Sequence, residues 1–355
     1  MFSQEFYHVF GRHITLSTFL GGSPFVWNTK LKSFSVNELS HIWFALNALA
    51  LYGAGIYAGG RSLYLKFYGD MSDLGFVMAL FMAAVFDAIG YTMMLLNPHH
   101  LASVVNASLR YYTTFCKNWK LTTKPDYLLP YLCNLTVFTT FLNLFCPTWV
   151  VLHYFLFPSH AAYPCSFIDF SCRLEFYVVV GLGYFWMLLS IFSNITTACI
   201  ITVLIYIFII CSLLSKEFLA PSAKKSGRKY TTSHWLRLPG NLQIAYRSLE
   251  LLNKNMNAVL APVLIPAQAI VTQFSLSCNY LLIRDWAYLD ATSTSLLVLW
   301  SGGGLLPCDV LTIMGQDILY GHCSTAANCV LPGVPVLHTV CPNARPYCCA
   351  TMLGM

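Results

Sequence analysis

Two acidic residues lie in parts of the sequence that otherwise carry almost no charge. Asp87 falls in the apolar run 74–96, and Asp309 falls near the end of the run 291–314. Acidic side chains at membrane depth are costly and often mark ion pathways. We therefore predict that Asp87 and Asp309 line the path of a cation. For Asp309, a capping or snorkelling role at its helix end explains the position equally well.

Aromatic residues make up 15% of the chain, and several of them lie near the same ends of the long apolar runs. Such side chains either pack helices together and anchor them at the membrane interface, or line an apolar pocket between helices. A pocket also needs a few polar groups, which a histidine and a glutamine supply here. The predicted ligand-binding residues are Trp149, His153, Tyr154, Tyr177, Tyr184, Gln273 and Tyr280.

Two of the fourteen cysteines, Cys165 and Cys172, lie in one short connection between apolar runs. The distribution of basic residues, described below, places this connection outside the cell, where thiols oxidise. We predict a local disulfide between them. The cysteines from Cys308 onward lack the CxxC spacing of zinc sites, so we predict no metal.

No motif of a membrane enzyme is present. The pair His99-His100 lacks the further spaced histidine clusters that a di-iron centre needs. The sequence contains no HExxH, GxSxG or P-loop motif. We therefore predict neither enzymatic activity nor a cofactor.

The composition indicates an integral membrane protein. Hydrophobic residues make up 57% of the 355 residues and charged residues only 10%, against about a quarter charged in soluble domains. The first forty residues hold five charged side chains and no continuous apolar core, so we expect no cleaved signal peptide. Because the basic residues are concentrated in particular loops, we do not expect nucleic acid as a partner.

Charge-poor runs of this length must form helices, since lipid offers no partners to backbone polar groups. The fold predicted is therefore all-α, a polytopic transmembrane bundle. The fourth run could be two short spans joined at 193–196, but the absence of a Gly/Pro turn favours one long helix. Helical spacing of apolar residues from Leu242 to Leu252 predicts that the fifth helix begins before its membrane span. The six predicted spans are 41–58, 74–96, 127–157, 176–214, 256–283 and 291–314.

The distribution of basic residues predicts the orientation. Sixteen of the twenty Lys and Arg residues fall in the N-terminal segment, the even-numbered connections and the tail. Since positive residues stay cytoplasmic, we expect a multi-pass cell-membrane protein with a cytoplasmic N-terminus. The predicted regions are a cytoplasmic segment (1–40), a bundle (41–314) with a basic cytoplasmic loop (215–255), and a Cys-rich tail (315–355).

One motif leads into the first span, Leu20-Gly21-Gly22-Ser23-Pro24-Phe25-Val26-Trp27. This motif, the inverted orientation, the basic second connection and the long fourth helix together resemble the arthropod gustatory and odorant receptor superfamily. The likeness is greatest to divergent members from springtails and other basal arthropods, and covers about residues 1–315.

The resemblance implies a seven-helix, ligand-gated cation channel subunit. Such subunits form tetramers with identical or related partners, sit in membrane lipid, and bind a small organic tastant or odorant among the outer helix halves. The seventh helix of the family lines the pore and carries a Thr-Tyr, then Gln-Phe signature. Here Thr272-Gln273-Phe274 lies in the fifth run, and no apolar run near 20 residues follows Met314. We therefore expect an atypical or truncated C-terminus, or an imperfect gene model.

Two alternatives to a conducting receptor remain. A small-solute transporter would use membrane-depth acids and kinked helices, although the sequence shows no internal repeat. A truncated receptor without the pore helix would bind but not conduct. A G-protein-coupled receptor has the opposite orientation.

Overall fold

The computed structural model describes residues 3–69, 71–121, 129–167, 174–202, 232–284 and 291–302, with Leu204, Ile209, Ile210, Leu213, Phe218 and Leu289. The elements in chain order are α1 (Gln4–Leu20), β1 (Phe25–Asn28), β2 (Ser33–Val36), α2 (Glu38–Tyr68), α3 (Met71–Leu96), α4 (Pro98–Trp119), α5 (Leu129–Leu156), α6 (Leu174–Thr202) and α7 (Pro239–Arg284). Residues 291–302 are also helical.

Four helices are long and apolar enough to cross a membrane, namely α2, α3, α5 and α6, with mean hydropathies from 1.3 to 1.9. Among the described residues the only strands are β1 and β2, which pair antiparallel as a hairpin. This agrees with an all-α membrane protein. The predicted fifth span lies within α7, and the sixth is described only over 291–302. Six spans and a cytoplasmic N-terminus therefore stay predictions.

The fourth apolar run does not divide into two short spans at 193–196, where a turn between them would have to lie. Helix α6 continues without a break through 193–196 and is described as far as Thr202. Ser193, Asn194 and Thr196 are buried in the bundle, where polar side chains can find partners on neighbouring helices. Likewise, α7 begins at Pro239, well before the predicted fifth span, as the helical spacing predicted.

The connection after the second span is a helix, which the sequence analysis did not predict. Helix α4 starts with Pro98, a residue favoured at the first position of a helix. It buries Leu101, Val105 and Tyr112 against the rest of the protein and leaves Lys117 exposed. Its frequent basic and polar residues indicated a loop, but here they form the outer face of an amphipathic helix.

The N-terminal segment forms a helix that packs against the bundle. Helix α1 is capped at its N-terminus by Ser3, whose hydroxyl accepts from the Phe6 N–H at 3.1 Å, and it packs against α5 and α6. Phe6, Phe10 and Ile14, spaced four residues apart, are fully buried. This stripe of large apolar side chains fixes which face of α1 points into the bundle.

The Gly-rich motif forms the turn that ends α1. Gly21 has φ +77°, the left-handed conformation that closes many helices, and its N–H bonds to Thr18 O at 3.1 Å. The Gly22 carbonyl accepts from Asn194 Nδ2 at 3.0 Å. A Cβ at Gly22 would lie only 2.6 Å from the Ser190 carbonyl oxygen on α6. The turn therefore touches α6 so closely that only glycine fits.

Helix α1 is also joined to the bundle by His13. Its Nδ1 lies 2.9 Å from Thr140 Oγ1 on α5, and its Nε2 lies 3.2 Å from Thr197 Oγ1 on α6. Burial lowers the pKa of His13 to about 4, because the site favours the neutral ring. A neutral imidazole can accept at one nitrogen and donate at the other, which suits two hydroxyl partners.

We expect Gly22→Ala to destabilise the protein by about 1–3 kcal/mol, because the added methyl group meets α6 backbone. Gly53→Ala on α2, where no atom lies within 4 Å of the new Cβ, is the matched control and should leave stability unchanged or slightly raised. The thermal unfolding midpoint of the purified protein in detergent measures both. Equal midpoints for the two variants would contradict the close turn–helix contact.

We expect stability to fall as the pH drops from about 6.5 to about 4, because the unfolded state then binds a proton at His13 that the folded state does not. The loss is about 3 kcal/mol at most and levels off below the folded pKa. His13→Gln should flatten this part of the curve of unfolding midpoint against pH. His8→Gln, an exposed position on the same helix, should retain the wild-type slope. A His13→Gln curve that falls as steeply as the wild type would show that other groups cause the pH dependence.

Candidate functional site

The residues after α5 turn back into the bundle and bury an aromatic side chain. Ala161, Ala162 and Tyr163 are almost fully buried. The Tyr57 hydroxyl of α2 donates to the Ala161 carbonyl at 3.2 Å and lies 2.8 Å from the Tyr163 carbonyl oxygen. These bonds to α2 hold the segment in place between the helices.

His153 of α5 connects three separate segments at this end of the bundle. Its side chain is 0% exposed, and its Nδ1 lies 2.6 Å from the Tyr163 hydroxyl. Its Nε2 lies 3.0 Å from Ser293 Oγ in the helical residues 291–302. The Phe76 ring of α3 stacks on the imidazole, with ring centroids 5.0 Å apart. Movement of any one of these segments would therefore change the surroundings of His153.

Tyrosines form the adjoining wall. Tyr154 and Tyr177 stack with centroids 5.0 Å apart, and each hydroxyl donates to the other residue's carbonyl oxygen, at 3.1 and 3.2 Å. The ring of Tyr184 meets that of Tyr163 edge to face at 5.8 Å. Trp149, partly buried, packs against the same apolar group. We call this set the His153 cluster; it comprises Phe76, Trp149, His153, Tyr154, Tyr163, Tyr177, Tyr184 and Ser293.

The structure brings five of the seven predicted ligand residues together in the His153 cluster, and it leaves two outside. On α7, Gln273 is exposed and Tyr280 is 58% exposed. Val271 and Cys278 of the same helix are buried. A position two residues further along an α-helix points about 200° away, so Gln273 and Tyr280 face the opposite side.

Tyr163, Ser293 and Phe76 belong to the cluster although the sequence did not single them out. Tyr163 lies in a connection, and connections usually run over the surface. Ser293 and Phe76 have no unusual spacing. Only the contact with His153 distinguishes them.

The His153 cluster has the residue composition of small-molecule sites. Its side chains are mostly aromatic, with one imidazole and several hydroxyls, and the His160 ring, 3.7 Å from an Asp73 oxygen, packs against its edge. Aromatic rings offer faces and edges for stacking. The polar groups described above bond to one another, so a ligand would have to displace a side chain. The described residues contain no group of three metal-ligating side chains.

Cys165, at the edge of the cluster, has a buried free thiol in the structure, with Sγ 3.2 Å from the Tyr154 hydroxyl. Cys172, its predicted disulfide partner, lies outside the described residues. The bridge therefore stays a prediction.

Asp87, one of the two predicted ion-pathway residues, is buried in α3 with 1% exposure. Neither carboxylate oxygen has a hydrogen-bond partner within the described residues. A Cβ at the nearby Gly90 would lie 3.0 Å from Asn194 Oδ1, another buried oxygen without a described partner. An unpaired charge in such a place is costly, so a proton or a bound cation would stabilise it. Asp309 lies outside the described residues.

Comparison with known proteins assigns no family to this chain, since no protein-family model and no curated protein matches it. The likeness to arthropod chemoreceptors therefore rests on the sequence features given above.

We expect Asp87→Asn to raise the thermal unfolding midpoint near neutral pH, because an amide of the same size has no charge to desolvate. The gain should correspond to about 1–3 kcal/mol. Asp73→Asn is the matched control on the same helix; Asp73 is partly exposed and lies 3.7 Å from His160, so its loss should not stabilise the protein. A lower midpoint for Asp87→Asn would contradict this expectation and indicate that the carboxylate holds a cation.

Proposed function

We propose that this protein is a chemosensory receptor of the gustatory or odorant type, a subunit of a ligand-gated cation channel. The observation that carries the proposal is the position of His153, which hydrogen-bonds Tyr163 on one side and Ser293 on the other. A small organic ligand would bind in the His153 cluster, among the outer halves of the helices. No chemical step is involved.

Ligand binding would act by exchange at His153. A ligand with a ring and a polar group takes the place of the Tyr163 side chain and hydrogen-bonds the imidazole. Tyr163 also donates to the Val150 carbonyl at 3.4 Å, so its departure loosens the segment that packs against α5. The bond from His153 to Ser293 transmits the change to residues 291–302. The ligand shifts the population toward the open state only as far as it binds that state more tightly.

The conducting part of the proposal is a tetramer with the pore between subunits. In a conducting subunit, the segment that lines the pore would come from residues 303–355, which follow the helical residues 291–302. Asp87 is buried inside the subunit, so it would meet a cation only in an open arrangement of the helices, in the half of the membrane nearer the N-terminus. The excess of Lys and Arg on that side supports a cytoplasmic N-terminus.

A small-solute transporter is the alternative that Asp87 favours, because a buried carboxyl group can take up and release a proton with the substrate. Ligand-evoked cation current in transfected cells supports the channel. Saturable uptake of a labelled solute without current supports the transporter. Ligand-induced thermal stabilisation of the purified protein without current or uptake indicates a non-conducting receptor.

Two substitutions in the His153 cluster should change ligand sensitivity in opposite directions. His153→Ala removes the group that holds the ligand, so the half-maximal ligand concentration should rise about tenfold. Tyr163→Phe removes the hydroxyl that competes for the imidazole, so the half-maximal concentration should fall severalfold. The measurement is the dose–response of current in cells challenged with a panel of small organic tastants and odorants.

Tyr280→Phe is the matched control, because it removes a hydroxyl from an exposed tyrosine outside the cluster, and should leave the dose–response unchanged. Surface expression of each variant separates loss of binding from loss of folding. Equal shifts for Tyr163→Phe and Tyr280→Phe would contradict the exchange at His153.

A further inference from the structure

A cleft at the opposite end of the bundle from the His153 cluster has the chemistry of an anion site. It lies between strand β2 and helix α4 and has a volume of about 450 Å³. The Asn106 side chain lines it; Oδ1 accepts from the Phe34 N–H at 2.7 Å and Nδ2 donates to the Phe34 carbonyl at 2.9 Å. These two bonds join the hairpin to α4. The polar and basic lining residues are Ser35, His99, Ser103, Asn106 and Arg110.

The charge in the cleft is positive and uncompensated. Arg110 is exposed and has no salt bridge within the part of the chain that the structure describes. None of the residues lining the cleft is acidic, and Glu38, the acid nearest to β2 in the sequence, is not among them. A guanidinium beside hydroxyl groups is well suited to phosphate oxygens, which accept several hydrogen bonds at once.

The position of the cleft relative to the spans indicates where the anion comes from. Val36, in its wall, lies two residues before the start of α2, and His99 lies three residues after the end of α3. At these same helix ends, Leu39 is 73% exposed and Leu96 is 70% exposed. In a membrane protein such side chains face acyl chains. The cleft therefore adjoins the boundary between acyl chains and headgroups.

We propose that this cleft binds the phosphate headgroup of an anionic phospholipid in the leaflet on the N-terminal side. Arg110 pairs with the phosphate, and the Ser103 hydroxyl and the His99 ring donate to its oxygens. The acyl chains extend past Leu39 and Leu96 into the bilayer. Because the hairpin follows directly on the turn at Gly22, a lipid held between β2 and α4 also stabilises the docking of α1. This inference does not depend on the receptor function proposed above.

The test uses the purified full-length protein and a fluorescent phosphatidylinositol phosphate. Arg110→Gln should weaken binding of this lipid about tenfold, the loss expected for a charge-assisted hydrogen bond. Lys117→Gln removes the same charge from an exposed position on the same helix outside the cleft. It should leave the affinity within about twofold of the wild type, since a distant exposed charge is screened by salt. Equal losses for the two variants would overturn the assignment of the site.

Two further measurements distinguish the source of the phosphate and guard against misfolding. Phosphatidylinositol phosphate should raise the thermal unfolding midpoint, whereas phosphatidylcholine, inorganic phosphate and soluble inositol phosphate should not. Stabilisation by the soluble anions equal to that by the lipid would overturn the lipid part of the proposal. Ser103→Leu narrows the cleft without altering charge and should weaken lipid binding like Arg110→Gln. Unchanged affinity in this variant would show that the lipid binds elsewhere.

Discussion

The contact of the Gly21-Gly22 turn with α6 holds the N-terminal helix inside the bundle, and much of the remaining structure depends on it. Inside an apolar bundle, backbone groups at the end of a helix need partners, which water cannot provide. Asn194 supplies one by donating to Gly22 O, and the Tyr91 hydroxyl lies 3.4 Å from Gly21 O. Once the turn is fixed, β1 and β2 must follow beside α4, and α2 must start next to them. The close approach of the Gly21-Gly22 turn to α6 therefore organises the half of the protein that contains the N-terminus.

Buried polar groups also need partners at the end of the bundle that contains the His153 cluster, but there the partners are of a different kind. At the turn, side chains satisfy backbone carbonyls, and exchange with a ligand would leave those carbonyls unpaired. In the His153 cluster, the imidazole of His153 bonds to the side chains of Tyr163 and Ser293, and a ligand hydroxyl or carbonyl can replace the Tyr163 hydroxyl there at little cost. This difference explains why we assign a structural role to the first set and ligand binding to the second. Asp87 lies between the two ends and belongs to neither network, since its oxygens have no partner within the described residues.

The cleft beside α4 adds a third kind of polar site, one that faces the membrane boundary rather than the interior. Its wall includes β2, which follows the turn that positions α1, and α4, whose inner face packs into the same apolar core as α1. A lipid bound in the cleft would therefore stabilise α1, β2 and α4 together. The His153 cluster is built from α3, α5, α6 and later residues. Helix α3 contributes to both halves, with Tyr91 near the turn and Phe76 at the His153 cluster.

Hydropathy determined the membrane character of the chain and the positions of α3 and α5, whose ends lie within three residues of the predicted spans. Those predictions succeeded because length and apolar content are local properties of the sequence. Helix α4 was missed, since its basic face hides a buried stripe, and the packing of α1 against α5 and α6 was not predicted. The residues predicted to bind a ligand include His153 and Tyr154, which the structure brings together, and Gln273 and Tyr280, which it leaves on the exposed side of α7, because composition does not tell which side of a helix faces inward. The pairings of Gly22 with Asn194 and of His153 with Ser293 join residues more than a hundred positions apart. Only the packing of the helices decides such contacts, since no local pattern specifies which distant side chain completes a hydrogen bond.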